Sequence, residues 1–205
     1  MRYRPPTPLD AGGPRRPRAP LTTERTMNIL GISGSSASAS INALLLDSAL
    51  ALIDDATVQV VSVRDLDAPM YSVDVESSEG APAAIRRLYD HLQAADAVVL
   101  ASPEHNGMPP AMLKNCIDWL SRVQPGIKWI LKPVVLLSAS PGPGGGARNL
   151  AHLAGVIPHW GATVVGTCSV GRWHKAYDAE AGTLTDPTAR EALAQAMGGL
   201  TKASK

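Results

Sequence analysis

The chain has 205 residues, 45% of them hydrophobic, and a formal net charge of +1 at pH 7. This length is enough for one domain with a full core, but it is short for two. Residues 1–26 hold six arginines against two carboxylates, whereas the remainder has 13 basic and 16 acidic residues and is mildly acidic at −3. The absence of a basic stripe argues against nucleic acid as a partner, and the lack of an apolar run of about eighteen residues argues against a membrane-spanning segment.

The first 26 residues contain six prolines and almost no apolar periodicity. Such a segment cannot bury enough surface to offset the entropy of ordering, so we predict a disordered tail at residues 1–26 and one domain at residues 27–205. The proline density also disfavours an organellar targeting helix.

The two cysteines, Cys116 and Cys168, form no CxxC motif. Their segments have the patterns of a helix and a strand, which predicts core or interface thiols in a reducing cytoplasm. The histidines share no ligand spacing, so no metal site is predicted.

The chain is organised around residues 27–42, MNILGISGSSASASIN, where a short apolar run precedes a stretch rich in serine. The apolar run predicts a buried strand at residues 28–32, and Gly31 and Gly34 permit a sharp turn after it. Ser35, Ser36 and Ser40 then supply hydroxyl and backbone N–H groups where the next helix begins, which is a favourable place for an anion. A plain serine-rich helix cap is the alternative interpretation.

The later elements follow from hydrophobic periodicity. An apolar stripe from Ile41 to Ile53 predicts a first helix that ends near Asp54. The polar segment at residues 64–80 is predicted to be a loop with a turn at Pro69. Further strands are predicted at residues 57–63, 97–101, 133–138 and 162–167, and further helices at 82–95, after Pro109, around 150–157 and at 187–200.

Alternating strands and helices with short connections predict an α/β fold: a doubly wound, five-stranded parallel sheet with helices on both faces. Ligands bind such sheets at the carboxyl ends of the strands, near the switch in winding direction. The loops after the first, third and fourth strands are rich in Gly, Ser and Pro, so the site is predicted there.

Two nucleotide motifs are tested directly. A Walker-type GxxxxGK[ST] is absent, which removes the main support for triphosphate hydrolysis. Gly142, Gly144 and Ala147 satisfy G-x-G-x-x-[GA], but the following strand ends without the acidic residue that would hold a ribose. The dinucleotide-fold interpretation is therefore weak.

The three loops together resemble the NADPH-dependent FMN reductase family, which has a flavodoxin-like fold and includes quinone, azo and chromate reductases. Gly34, Ser35, Ser40 and Asn42 match the family's phosphate loop, G-S-x-R-x-x-S-x-N. The segment SPEHNGMPPAMLKNCIDWLSR, residues 102–122, is similar to its second signature, and SASPGPGGGAR, residues 138–148, is similar to its third. The resemblance extends from Met27 to about Leu200.

The resemblance implies an FMN site in these loops, with NADPH or NADH as the electron donor. The flavin would carry the chemistry, so no catalytic side chain is predicted. The implied cofactor-binding residues are Gly34, Ser35, Ser36, Ser40, Ile41, Asn42, Pro103, Glu104, His105, Asn106, Gly107, Ser140, Gly142 and Gly145. Of these, Glu104 is predicted to cap a helix or fix its loop, and Asn42 to brace its loop or donate to the phosphate.

The sequence departs from the family pattern at two positions. Ala37 replaces the family's phosphate-loop arginine, which would lower FMN affinity. His105 stands where the family usually has tyrosine; it would either titrate near the flavin or simply face solvent. Trp119 and Trp129 are predicted to pack at a subunit interface.

The predicted function is transfer of hydride from NAD(P)H to flavin N5, and then of electrons to a small acceptor such as a quinone, free flavin, azo compound or metal oxyanion. A homodimer or homotetramer is expected from the resemblance. The alternatives are a non-enzymatic electron carrier of the flavodoxin type and a flavin-free binding module. A flavodoxin would be more acidic and richer in aromatic residues than this chain, whereas Ala37 keeps the binding module open.

Overall fold

A computed structural model of the chain describes residues 26–124, 126 and 128–203, and only the backbone of residue 201. The predicted disordered tail therefore lies almost entirely outside the described residues. None of the helices in the described part of the chain is long and apolar enough to cross a bilayer.

A five-stranded parallel sheet forms the centre of the molecule, with the strand order β2-β1-β3-β4-β5. This order confirms the predicted doubly wound fold of the flavodoxin type. β3 is buried along its whole length because helices cover both faces of the sheet there. The strands are β1 Met27–Ser33, β2 Ala56–Ser62, β3 Ala97–Ala101, β4 Pro133–Ala139 and β5 Thr163–Val170.

The helices pack in two layers, and each layer encloses its own hydrophobic core. Leucines of α3, α4 and α5 cover one face, and leucines of α1 and α7 cover the other. The helices are α1 Ile41–Leu50, α2 Val73–Glu79, α3 Ala83–Ala94, α4 Ala111–Leu120, α5 Ala147–Val156, α6 Trp173–Ala176 and α7 Pro187–Ala203. Short 3₁₀ turns follow β2 at Val63–Asp65 and α5 at Ile157–Trp160.

The first helix is shorter than the sequence predicts, ending at Leu50 instead of near Asp54. The apolar stripe continues into Leu52, which is 51% exposed in the following turn. Asp55 then adopts a positive φ of 57°, which redirects the chain into β2. The predicted helix was too long because the apolar spacing continues beyond the residue at which the backbone leaves the helix.

The segment predicted as a loop at residues 64–80 contains the short helix α2. No residue of α2 is buried, so it has no apolar periodicity to reveal it. Its ends are marked by Ser72, whose hydroxyl accepts from the Val75 N–H at 3.2 Å, and by Gly80 with a φ of 71°. The two-stranded ribbon of β6 (Tyr177–Asp178) and β7 (Thr183–Leu184) was also not predicted.

The tryptophans lie in the core of the single chain, so the predicted interface positions are wrong. Trp119 is 0% exposed, and its indole N–H donates to the Pro69 carbonyl at 2.8 Å. Trp129 is buried and stacks on Trp160 with ring centroids 5.2 Å apart. Trp119 thus ties the turn at Pro69 to α4.

Candidate functional site

Three loops meet at the carboxyl edge of the sheet because they leave the adjacent strands β1, β3 and β4. The Gly34 N–H donates to the Ala101 carbonyl at 2.8 Å, and the Ser102 N–H donates to the Leu137 carbonyl at the same distance. A Cβ on Gly34 would lie 2.8 Å from the Leu113 side chain, which leaves no space for a larger residue. Gly34 therefore lets the first loop pack against β3 and α4.

The first loop leaves backbone donors open at the N-terminus of α1. Residues 36–39 are exposed, and the N–H groups of Ser36, Ser38 and Ala39 have no acceptor among the described residues. Ser40 is the N-cap, and its hydroxyl oxygen accepts from the Ala43 N–H at 3.2 Å. The hydroxyl of buried Ser35 accepts from the Ala37 N–H at 3.2 Å.

Both serines accept in these bonds, so each hydroxyl proton remains available to a ligand. Hydroxyl protons and free N–H groups at a helix N-terminus form a donor set that suits a phosphate group. The residues present in the first loop therefore fit the phosphate of a nucleotide.

Asn42 braces the site from below instead of facing outward. It is 2% exposed; its amide nitrogen donates to the Ala139 carbonyl at 3.0 Å, and its amide oxygen accepts from the Ala139 N–H at 2.8 Å. These two bonds join the first turn of α1 to the end of β4. Of the two predicted roles, the structure shows bracing, and the bonds tie the first loop to the start of the third.

The second loop is a tight hairpin turn at residues 105–108. Asn106 and Gly107 have φ of 55° and 83°, and His105 and Met108 exchange two backbone hydrogen bonds of 2.9 and 3.1 Å. Two positive φ angles define a type I′ turn, for which Asn-Gly is the preferred pair. The Asn106-Gly107 dipeptide is the sequence signal from which this turn could be predicted. His105 lies exposed at the start of the turn.

Glu104 closes the N-terminus of α5. Its carboxylate accepts from the backbone N–H groups of Arg148 and Asn149, both at 3.1 Å, which confirms the predicted helix-capping role. These donors would otherwise be available to the pyrophosphate of a dinucleotide after the G-x-G-x-x-A motif. The structure therefore adds a reason against that interpretation.

The third loop is fixed by its neighbours. The Ser140 hydroxyl donates to the Gly142 carbonyl at 3.0 Å, and the Arg172 N–H donates to the same carbonyl at 2.8 Å. Gly145 has a φ of 61°, and a Cβ there would overlap the Ser169 hydroxyl. Gly145 is thus required by packing, whereas Gly142 is exposed at the rim.

A groove of about 380 Å³ lies beside the first two loops. Ser36 and His105 border it, and most of its lining is apolar. The apolar lining includes Leu66, Ala68 and Met70, in the segment predicted to be a polar loop. These three residues occupy every second position of the chain, and this spacing was the sequence signal that they share one face.

Hydrogen bonds from α4 fix the part of the groove wall that is formed by the segment around Pro69. The Asn115 side chain accepts from the Tyr71 N–H at 2.8 Å and donates to the Pro69 carbonyl at 3.0 Å. Burial raises the pKa of the Cys116 thiol, which also lines the groove, to about 11. This thiol stays protonated at neutral pH and is not a nucleophile. No group of metal-ligating side chains occurs among the described residues.

The chain is similar in sequence to quinone reductases and to NAD(P)H-dependent FMN reductases. Residues 27–175 match the sequence profile of the family described as NADPH-dependent FMN reductase. A quinone reductase of Escherichia coli K12 is 35% identical over 140 residues, 68% of this chain and 73% of that protein. An NAD(P)H-dependent FMN reductase of Pseudomonas aeruginosa is 34% identical over 172 residues, 82% of this chain and 90% of that protein.

A solved structure shares the fold at moderate identity. The flavoenzyme NAD(P)H:(acceptor) oxidoreductase FerB of Paracoccus denitrificans superposes with a TM-score of 0.70 and is 27% identical in sequence. The match covers 86% of this chain and 96% of that one.

Proposed function

This chain belongs to the NADPH-dependent FMN reductase family and is an NAD(P)H-dependent flavin oxidoreductase, and from that premise we propose that its electron acceptor is a quinone. The observation that carries the proposal is the apolar groove of about 380 Å³ that borders Ser36 and His105. An apolar, planar acceptor gains free energy from leaving water for such a groove, whereas a metal oxyanion does not. The name of the relative from E. coli agrees with this choice.

We also propose that the three loops hold FMN, with its phosphate at the first loop. Ser35, Ser36 and Ser40, with the free N–H groups beside them, would donate to the phosphate. When bound, FMN accepts hydride from NAD(P)H and supplies electrons to the acceptor. The remaining proposed residues provide loop backbone near the ring or hold the loops in place: Gly34, Ile41, Asn42, Pro103, Glu104, His105, Asn106, Gly107, Ser140, Gly142 and Gly145.

A homo-oligomer is part of the proposal. Met70 is 71% exposed and Val73 is 66% exposed, and Met108 and Met112 are also exposed apolar residues. A second copy of the chain covering these side chains would enclose the groove and remove apolar surface from water. Light scattering measures the mass of the assembly, and a monomer would overturn this part.

Two free, buried cysteines are consistent with the predicted cytoplasmic setting.

The first experiment tests the flavin and its reduction. The purified protein, reconstituted with FMN if it is colourless, is mixed with NADPH without oxygen while flavin absorbance is followed. Bleaching, and recovery of the colour on adding benzoquinone, is the expected result. A yellow protein that NADPH leaves unchanged would favour the electron carrier, and one that never retains FMN would favour the binding module.

The second experiment tests the acceptor with two matched variants. Met70→Glu puts a charge into the groove, whereas Leu52→Glu puts the same charge on an exposed residue that belongs neither to the groove nor to the proposed interface. The KM for benzoquinone should rise in the Met70 variant alone, while FMN affinity stays unchanged in both. Equal KM values, or faster turnover of chromate than of benzoquinone by the unmodified enzyme, would overturn the quinone assignment.

A further inference from the structure

A second, smaller cavity lies inside the core, between the sheet and the layer of α3 and α4. Its volume is about 50 Å³. Ile32, Val98 and Val134 line it from the sheet, and Leu92 and Cys116 line it from the helices. The stacked pair of Trp129 and Trp160 also lines it.

Cys116 and the two tryptophans are the only lining residues whose side chains carry a heteroatom, and the surface that faces the cavity is apolar throughout. Water needs two to four polar partners to remain in such a space, so an apolar cavity of this kind stays dry. An apolar cavity of roughly 150 Å³ accepts benzene or xenon, so a smaller one suits a molecule of only a few atoms.

The cavity and the groove share part of one wall. Val63 and Cys116 line both, and the groove in turn touches Ser36 and His105 of the candidate site. The thiol of Cys116 is small and, with its pKa raised by burial, uncharged. Val63 and Cys116 therefore lie between the two spaces, and buried side chains do change rotamer.

We propose that this internal cavity is a binding site for dioxygen, which enters from the groove past Val63 and Cys116. Dioxygen is apolar, has two atoms, and is the oxidant that an aerobic solution supplies without any carrier. Its binding depends only on the cavity; its relevance to a reduced flavin rests on the function proposed above. The test below uses no flavin and no NAD(P)H, so the two proposals fail independently.

The experiment uses dioxygen itself as the probe, through its paramagnetism. Methyl relaxation is measured by NMR on the full chain at rising oxygen pressure. Leu92 and Val98, which line the cavity, should relax several-fold faster than Leu46 and Leu137, which are equally buried in the core on the opposite face of the sheet. Equal enhancement of the four residues would overturn the proposal.

A matched pair of substitutions assigns the effect to the cavity. Val134→Ile adds a methylene group to the cavity wall, whereas Val135→Ile adds the same group to the opposite core. The oxygen effect on Leu92 should fall sharply in the first variant and persist in the second. Persistence in the Val134 variant would show that oxygen does not occupy this cavity. If either variant fails to fold, Val98→Ile and Val99→Ile provide the same contrast.

Discussion

Two helices begin at the same edge of the sheet, and their N-termini are completed in different ways. Neither α1 nor α5 has an acidic residue in its first turn. α5 receives a carboxylate from the neighbouring loop, because Glu104 accepts from two of its N–H groups. α1 has only the hydroxyl of Ser40 as a cap, and the loop before it stays exposed.

This difference indicates which helix terminus is left for a ligand. The positive end of a helix dipole favours a negative charge, and the protein supplies that charge itself at α5. At α1 it supplies only neutral hydroxyl and N–H donors, so an external anion meets no competing carboxylate there. Substitutions at the two termini and in the loops beside them should therefore have different effects on stability and on anion binding.

Asn42→Ala should cause the largest loss of stability. Both amide groups of Asn42 bond the buried backbone of Ala139, and each buried group left without a partner costs about 1–3 kcal/mol. We expect the free energy of unfolding, measured by urea denaturation, to fall by about 3 kcal/mol. Asn42→Asp keeps an acceptor for the Ala139 N–H but turns a buried carboxylate oxygen toward the Ala139 carbonyl, so it should lose stability as well. An Ala variant as stable as the unmodified protein would show that the brace is not needed.

Ser40→Ala should weaken FMN binding at the open helix terminus. A hydrogen bond to a charged group contributes about 1.5–3 kcal/mol, so Kd should rise by roughly 10-fold to 100-fold. Titration of the apoprotein with FMN, followed by flavin fluorescence, measures this change. Ser48→Ala, on the same helix but bonded to the Leu44 carbonyl, is the control and should leave Kd unchanged. Equal Kd values for both variants would place the phosphate elsewhere.

Glu104→Ala should open the N-terminus of α5. Loss of a helix cap of this kind costs about 1–2 kcal/mol of unfolding free energy, and Glu104→Gln should lose less because its amide oxygen still accepts. Added sulfate should stabilise the Ala variant more than the unmodified protein, since the opened terminus then accepts an anion. Equal stabilisation by sulfate would mean that Glu104 does not occupy an anion site.

Ala37→Arg should produce the smallest effect, a tighter FMN complex. A guanidinium beside the phosphate adds one exposed charge pair, which contributes up to about 1 kcal/mol at low salt. Ala37→Gln is the uncharged control of similar length. The gain should appear only with arginine and should shrink as salt is raised, because exposed charges are screened. An unchanged Kd in fluorescence titration would contradict the prediction.

The sheet was predictable because buried parallel strands leave a simple pattern. The run AVVLA at Ala97–Ala101 is uniformly apolar, and the structure buries all of it. The helix α2 was missed because none of its residues is fully buried, although Val75 packs against the core, so its caps at Ser72 and Gly80 are its clearest signal. Hydrophobic periodicity reveals elements that bury one face, but it does not reveal elements that lie on the surface.

The loops that form the candidate site could be predicted from the sequence, but the contacts between their side chains could not. The spacing of Ser35, Ser40 and Asn42 placed these residues together, but it left the role of Asn42 open between bracing and binding. Its partner Ala139 is 97 positions away. Trp119 shows the same limit, since a large aromatic residue fits an interface and a core equally well until the packing is known.

The two hydrogen bonds between Asn42 and Ala139 also determine when the loops of the site become ordered. They connect the start of α1 to the end of β4 through protein groups alone, so this link between the first and third loops forms as the chain folds. A ligand that spans both loops then encounters a site whose two ends are already spaced. The entropy of arranging them is lost once for each protein molecule, and not again at each binding event.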